Sequence, residues 1–259
     1  MAWGAAPEPE SRNIDAGTGR SKRPASDDDP ADASAPIDPG ALGGEIVAMG
    51  SVGARFVFDY VDPGSYLLHC LVEAPKQVRG GVGGVAGGDV TPHPFELRPP
   101  PEPVIDPADP RWVALCVAME EAAGGLGVAL ERPTFVPWSR KAHELALQAQ
   151  ERGCFPEVHE ALFRAHFVEG RDIGRVDTLV EIAGAHGMDR SETRAALDVD
   201  RQREALEAKR AEAFHWGVRG VPTLLLEDGS RLEGFRSPEE VGAFLKGPTR
   251  NAGTGTDET

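Results

Sequence analysis

A carboxylate set directly before a proline, in Asp62-Pro63-Gly64-Ser65, marks the point where a short apolar run gives way to a helical pattern. A carboxylate at that position can serve as a base. It can equally serve as an N-cap that accepts a hydrogen bond from the first helical turn, with Pro63 fitting the first helical position. Capping alone accounts for Asp62, and a catalytic role would come on top of it. The three cysteines, Cys70, Cys116 and Cys154, are too few and too scattered for a disulfide scaffold, and no two form a C-x-x-C pair. Cys70 lies five residues after Ser65 in the same helical stretch, and Cys116 lies within VALCVAM. Both read as small buried hydrophobes. Cys154, after Gly153, reads as an exposed thiol open to modification, with nothing to mark it as catalytic. The seven histidines show no metal-binding spacing. His143-Glu144 and His159-Glu160 both lack the second histidine of H-E-x-x-H, and His143 and His166 read as packing and hydrogen-bonding residues. Gly81, Gly83 and Ala86 form a G-x-G-x-x-A match that precedes a strand rather than opening a helix, which argues against a dinucleotide site.

The chain that must position these groups has 259 residues, 40% of them hydrophobic, enough for one large domain with tails. It carries 42 acidic and 27 basic residues, a net charge of −15. Such a surface is repelled by phosphate backbones and anionic lipids, so no nucleic-acid or membrane partner is expected. The longest clean apolar run, Trp112 to Met119, is 8 residues, far short of the roughly 20 that a membrane helix needs. The start, MAWGAAPEPESRN, has no basic segment followed by an apolar stretch and does not read as a secretory signal. The expected setting is a reducing compartment, the cytoplasm. Residues 1–48 hold six prolines, six glycines and the run Asp27-Asp28-Asp29 with almost no periodic apolar residues, so they are expected to be disordered. They read either as a flexible arm or as sequence upstream of a start at Met49, the second being favoured because nothing before it is patterned to fold. Residues 247–259 read as a second tail. The domain expected between them, 49–246, keeps 31 acidic against 22 basic residues.

Within it, RFVFDYV reads as a strand, and a helix opens at Asp62-Pro63 and continues through YLLHCLVEA. VTPHPFEL reads as an edge strand because of its prolines. A helical block follows, with segments near 109–123, 139–152, 156–168, 176–185, 190–197 and 200–216. Leu162, Phe163, His166 and Phe167 give the third of these the stripe of an amphipathic helix. VPTLLLEDG and SRLEGF pair as a hairpin through Asp228-Gly229. Ser237-Pro238-Glu239-Glu240 opens the last helix as a capping box.

The order β-α-β, helical block, β-β-α resembles an α/β thioredoxin-like fold with an all-helical insertion, about 108–216, between the two halves of the sheet. From Phe56 to Leu245 the local sequences resemble the DsbA family, and within it the FrnE-like branch and its relatives, the 2-hydroxychromene-2-carboxylate isomerases and kappa-class glutathione transferases. The densest match is SRKAHELALQAQERGCFPEVHEALFRAHFVEGRDIG. Asp59, Tyr60, Pro63, Ser65 and Tyr66 are similar to the first strand and active-site turn, Pro94-Phe95-Glu96-Leu97 to the second strand, and Gly217 to Pro222 to the turn carrying a cis-proline.

Members that exchange disulfides carry C-x-x-C at the turn, its first thiolate stabilised by the helix N-terminus. Here Asp62-Pro63-Gly64-Ser65 contains no sulfur, so disulfide exchange at this turn is excluded. In the isomerase and transferase relatives, a serine at the first position hydrogen-bonds the sulfur of glutathione. Asp62 stands there instead, and an ionised carboxylate opposes a thiolate. The resemblance points Ser65 at the site as a neutral donor, and gives Val221 and cis-Pro222 the role of presenting backbone to an extended thiol or peptide substrate. Those relatives also place a Ser-Asp pair at the last helix start. Here Ser237 is followed by Pro238, leaving Arg236 to meet a substrate carboxylate. The expectation is a member that has lost disulfide exchange and keeps a thiol- or peptide-binding cleft. The alternative is a glutathione-dependent isomerase or transferase that uses Ser65 and the Pro222 turn. Disulfide exchange through one of the remote cysteines is the least favoured.

Overall fold

The computed structural model describes residues 53–72 and 90–247. The expected N-terminal tail, the glycine run 80–88 and all of the expected C-terminal tail except Gly247 lie outside the described residues.

The elements run β1 (Ala54–Phe58), α1 (Pro63–Val72), β2 (Val90–Pro94), α2 (Pro110–Leu126), α3 (Arg140–Arg152), α4 (Phe155–Phe167), α5 (Val176–Ala185), α6 (Arg190–Asp198), α7 (Arg203–His215), β3 (Thr223–Leu226), β4 (Arg231–Glu233) and α8 (Pro238–Leu245). The four strands form one sheet in the order β2-β1-β3-β4, with β1 parallel to β2 and antiparallel to β3. β1 is a central strand, and its unbroken Phe56-Val57-Phe58 run is buried on both faces. β2 carries Pro92 and Pro94 at the sheet edge, where a missing N–H costs no ladder bond. β3 and β4 meet at Asp228-Gly229. There Gly229 adopts φ +85°, and the Asp228 carboxylate accepts the Ser230 N–H at 2.8 Å.

Six helices, α2 to α7, separate β2 from β3 in the chain. Among them α3 packs against α4, α5, α6 and α7. Its buried face is built on Ala142, Ala146 and Ala149, small side chains that let neighbouring helices approach closely. α4 buries Leu162, Phe163, His166 and Phe167, the stripe expected from sequence, and the Phe163 and Phe167 rings lie 5.9 and 5.3 Å from Tyr66 of α1. α8 opens with the expected reciprocal capping box between Ser237 and Glu240.

Two boundaries differ from the sequence reading for local reasons. The first strand stops at Phe58 rather than running to Val61, because the chain turns there and the Asp62 N–H bonds the Asp59 carbonyl at 3.2 Å. The last insertion helix starts at Arg203 rather than Asp200, because Asp200 takes φ +52°, outside the helical region.

Candidate functional site at the capped turn and a buried aspartate–histidine pair

β1 delivers the chain to Asp59, and α1 begins four residues later. Between them Asp62 does what its place before a proline demands: its Oδ2 accepts the Ser65 N–H at 2.6 Å, a cap on the first turn. Ser65 is fully buried, and its Oγ accepts the Asp59 N–H at 3.3 Å. The serine hydroxyl therefore faces the protein interior, its oxygen bonded to the Asp59 backbone.

The turn is seated on the second half of the fold. The Val221-Pro222 bond is cis, Pro222 is buried, and a Cβ added to Gly64 would lie 3.1 Å from Pro222 Cδ. That is tighter than most side-chain contacts, so a residue larger than glycine would push against Pro222. Val221 is half-buried and packs on the small cluster formed by Val57, Phe95, Ala213 and Val218. The Pro222 carbonyl accepts the Gly234 N–H at 2.8 Å. The turn thus brings Asp62, Ser65 and Pro222 together, with Val221 adjoining. Arg236 is one step further out, exposed, with Nη1 bonding the Phe235 carbonyl at 3.1 Å, and no contact from it to Asp62 or Ser65 is present among the described residues.

Asp59 sits at the centre of a network that sequence reading named only as part of a family match. It is fully buried, as is His143 of α3, and His143 Nε2 donates to Asp59 Oδ1 across 3.1 Å. Asp59 Oδ2 accepts the Leu97 N–H at 2.6 Å. Burial by itself pushes the Asp59 carboxyl up. The hydrogen bond and charge of His143, with help from Ser139 and Leu97, more than reverse this and hold it below the usual carboxylate range. Asp62 goes the other way. Burial pushes its carboxyl up to about 7, its bonds to Ser65 only partly offset this, and the nearby Asp59 charge adds to the rise. Below neutral pH Asp62 is therefore a neutral acid and a hydrogen-bond donor. This qualifies the sequence argument that an ionised carboxylate here must repel a thiolate.

The neighbouring Tyr60 hydroxyl meets His159 Nδ1 at 2.7 Å, and Glu96 receives both Nε and Nη2 of Arg140, at 3.1 and 3.0 Å. The Asp59–His143 pair spans 84 residues, so no local spacing could reveal it. Two weak signals existed: a lone charge inside the apolar run FVFDYV, and a histidine on the alanine face of α3. A buried ionisable group at either place needs a partner.

All three cysteines are free thiols. Burial pushes both Cys70 and Cys116 up to about 12, away from nucleophilic thiolate. Cys154 is half-buried rather than exposed as the sequence suggested, because the turn into α4 packs it against the core.

Residues 55–246 match the DSBA-like thioredoxin domain. The chain belongs to that family. It is 33% identical over 143 residues to the uncharacterized protein YwbO of Bacillus subtilis, covering 52% of this chain and 70% of the relative. Among solved structures it resembles a probable DsbA oxidoreductase from Streptomyces coelicolor (23% identity, TM-score 0.63, 75% of this chain and 88% of that one). It also resembles a 2-hydroxychromene-2-carboxylate isomerase (19%, 0.58, 75% and 93%). The cytosolic disulfide reductase DsbM of Pseudomonas aeruginosa, solved with GSH, is similar at 21% identity and TM-score 0.51, over 75% of this chain and 98% of that one. At these identities the structural likeness speaks to fold. It agrees with the α/β thioredoxin-like architecture and the family read from sequence.

Proposed function

We propose that this chain is a DsbA-like protein that has lost thiol–disulfide exchange and binds an extended peptide against the Val221–Pro222 backbone. The observation that carries the reading is the state of Ser65: fully buried, with its hydroxyl oxygen accepting the Asp59 N–H at 3.3 Å and its own N–H bonded to the Asp62 carboxylate. A hydroxyl with no exposed surface is out of reach of an incoming thiolate, and the turn itself contains no sulfur. What such a member retains is a half-buried backbone before Pro222, suited to main-chain recognition of an extended segment. Arg236, exposed at the start of α8, is placed in this reading to meet a ligand carboxylate. A cytoplasmic setting suits three unpaired cysteines.

One observation favours a second reading, a glutathione-dependent isomerase or transferase. The neutral form of Asp62 can donate to a sulfur that its ionised form would repel. Backbone amide shifts of the full chain, titrated separately with an unstructured peptide and with glutathione, separate the two. The first reading expects saturable shifts at Val221 and Arg236 with peptide, none at Gly64 or Ser65 with glutathione, and no reduction of insulin. Saturable glutathione shifts at Gly64 and Ser65 would decide for the thiol-dependent enzyme.

A further inference from the structure

The charge around the Val221–Pro222 turn selects among peptides. Neither the N–H nor the carbonyl of half-buried Val221 is in a hydrogen bond among the described residues, so both are open to a strand-like partner. Two segments flank them. Residues 217–222, GVRGVP, lead into the cis bond, and residues 234–238, GFRSP, lie beside it, because the Gly234 N–H bonds the Pro222 carbonyl at 2.8 Å. Each segment carries one exposed arginine and no carboxylate, in a chain of 42 acidic and 27 basic residues. Arg236 folds back over its own segment: a Cβ added to Gly234 would lie 3.3 Å from its Nη1. It forms no ion pair among the described residues, with Nη1 on the Phe235 carbonyl at 3.1 Å. The Arg219 guanidinium lies 5.6 Å from the Phe214 ring centroid, and that of Arg210 lies 4.8 Å from it. Phe214 packs on the same small cluster as Val221. Of the carboxylates in this region, Glu233 lies 3.9 Å from Arg231, Glu102 lies 4.0 Å from Arg210, and Asp62 is buried. The turn is therefore locally positive on an acidic molecule, and within the roughly 8 Å over which exposed charges act at physiological salt the local sign governs.

We propose that the peptide taken at this turn is acidic, with a side-chain carboxylate on each side of the residue that pairs with Val221, one meeting Arg219 and the other Arg236. This rests on the peptide reading of the turn and adds the class of peptide.

The probes are capped, fluorescently labelled peptides of about seven residues that differ only in carrying two aspartates, two asparagines or two lysines, titrated into the full chain and followed by anisotropy. The aspartate peptide is expected to bind about tenfold more tightly than the asparagine peptide, at about threefold per exposed ion pair, and the lysine peptide more weakly than either. Raising salt from about 0.05 M to about 0.5 M is expected to shrink the aspartate advantage. Arg219→Gln and Arg236→Gln, both at exposed side chains, are each expected to cut that advantage about threefold. Equal affinity for the aspartate and asparagine peptides would overturn this inference and leave the peptide reading standing. So would an aspartate advantage that survives both substitutions together. No binding of any of the three up to roughly 1 mM would overturn the peptide reading and this inference with it.

Discussion

Asp59 and Asp62, three residues apart and both buried, are driven in opposite directions by their partners, and this makes their contributions to stability separable by pH. Asp62 has a folded-state pKa of about 7 against an ordinary value of 3.8. The folded state holds its proton longer, so its contribution is fully present below about pH 4 and is lost as pH rises through about 7. Asp59 is depressed, so its contribution is present above its ordinary value and is lost only as pH falls through its folded-state value. Asp62→Asn removes the first dependence and keeps the cap, because asparagine is as good an N-cap as aspartate. Urea unfolding at about pH 5 and about pH 8 is expected to show the wild type losing stability relative to the variant as pH rises. Between those two pH values the upper limit is about 3 kcal/mol, because roughly two of the three pH units separating the two pKa values fall inside the window. An unchanged difference between the two pH values would mean that Asp62 is ionised throughout.

At the scale of elements, the helical insertion is tied to the sheet by polar bonds at the ends of β1 and β2. Glu96, whose side chain is 1% exposed, receives Arg140 of α3, itself 12% exposed, and the Glu96 carbonyl accepts Nε of Arg210 of α7 at 2.9 Å. Burial pushes the Glu96 carboxyl up, and Arg140 opposes that. Arg140→Met strands the carboxylate and is expected to cost about 3–5 kcal/mol by chemical denaturation, whereas Arg140→Met with Glu96→Leu should recover most of the loss. If the double variant is as unstable as the single, the pair is not what joins α3 to the sheet. These ties also mark the limit of sequence reading. Ser237, Asp109, Gly153 and the alternating prolines of β2 announce their elements, because caps, stops and edges are local chemistry. Asp62 belongs with them: its capping bond reaches only to Ser65. Asp59–His143 and Glu96–Arg140 join residues 84 and 44 apart and depend on how α3 lies across the sheet, which no spacing encodes. The burial of Ser65 was hidden for the same reason. A serine in a first helical turn can face solvent or core, and the seating of Gly64 on Pro222 settles which.

For the whole molecule, a family whose fold usually surrounds a redox-active dithiol here surrounds a turn with none, so its stability should be indifferent to redox conditions. Its three cysteines are unpaired, with Cys70 on α1, Cys116 on α2 and Cys154 capping α4. Thiolate is the reactive form, and burial that pushes Cys70 and Cys116 up to about 12 leaves only a minute fraction ionised near neutral pH. Alkylation of the native chain at about pH 8 should therefore be slow at both, by mass spectrometry of the digested protein. Denaturant should expose all three to labelling at rates near that of a free thiol, whose pKa is about 8.5. The melting temperature should be the same with and without reductant, since no covalent loop is lost. A fall of several degrees on reduction, where about 1 kcal/mol shifts a domain of this size by roughly 2–4 °C, would mean that a disulfide contributes to the folded state. Rapid labelling of Cys70 in the native chain would mean that α1 opens far more readily than its packing against Phe163 and Phe167 implies. In that case disulfide exchange through a remote thiol would again have to be considered.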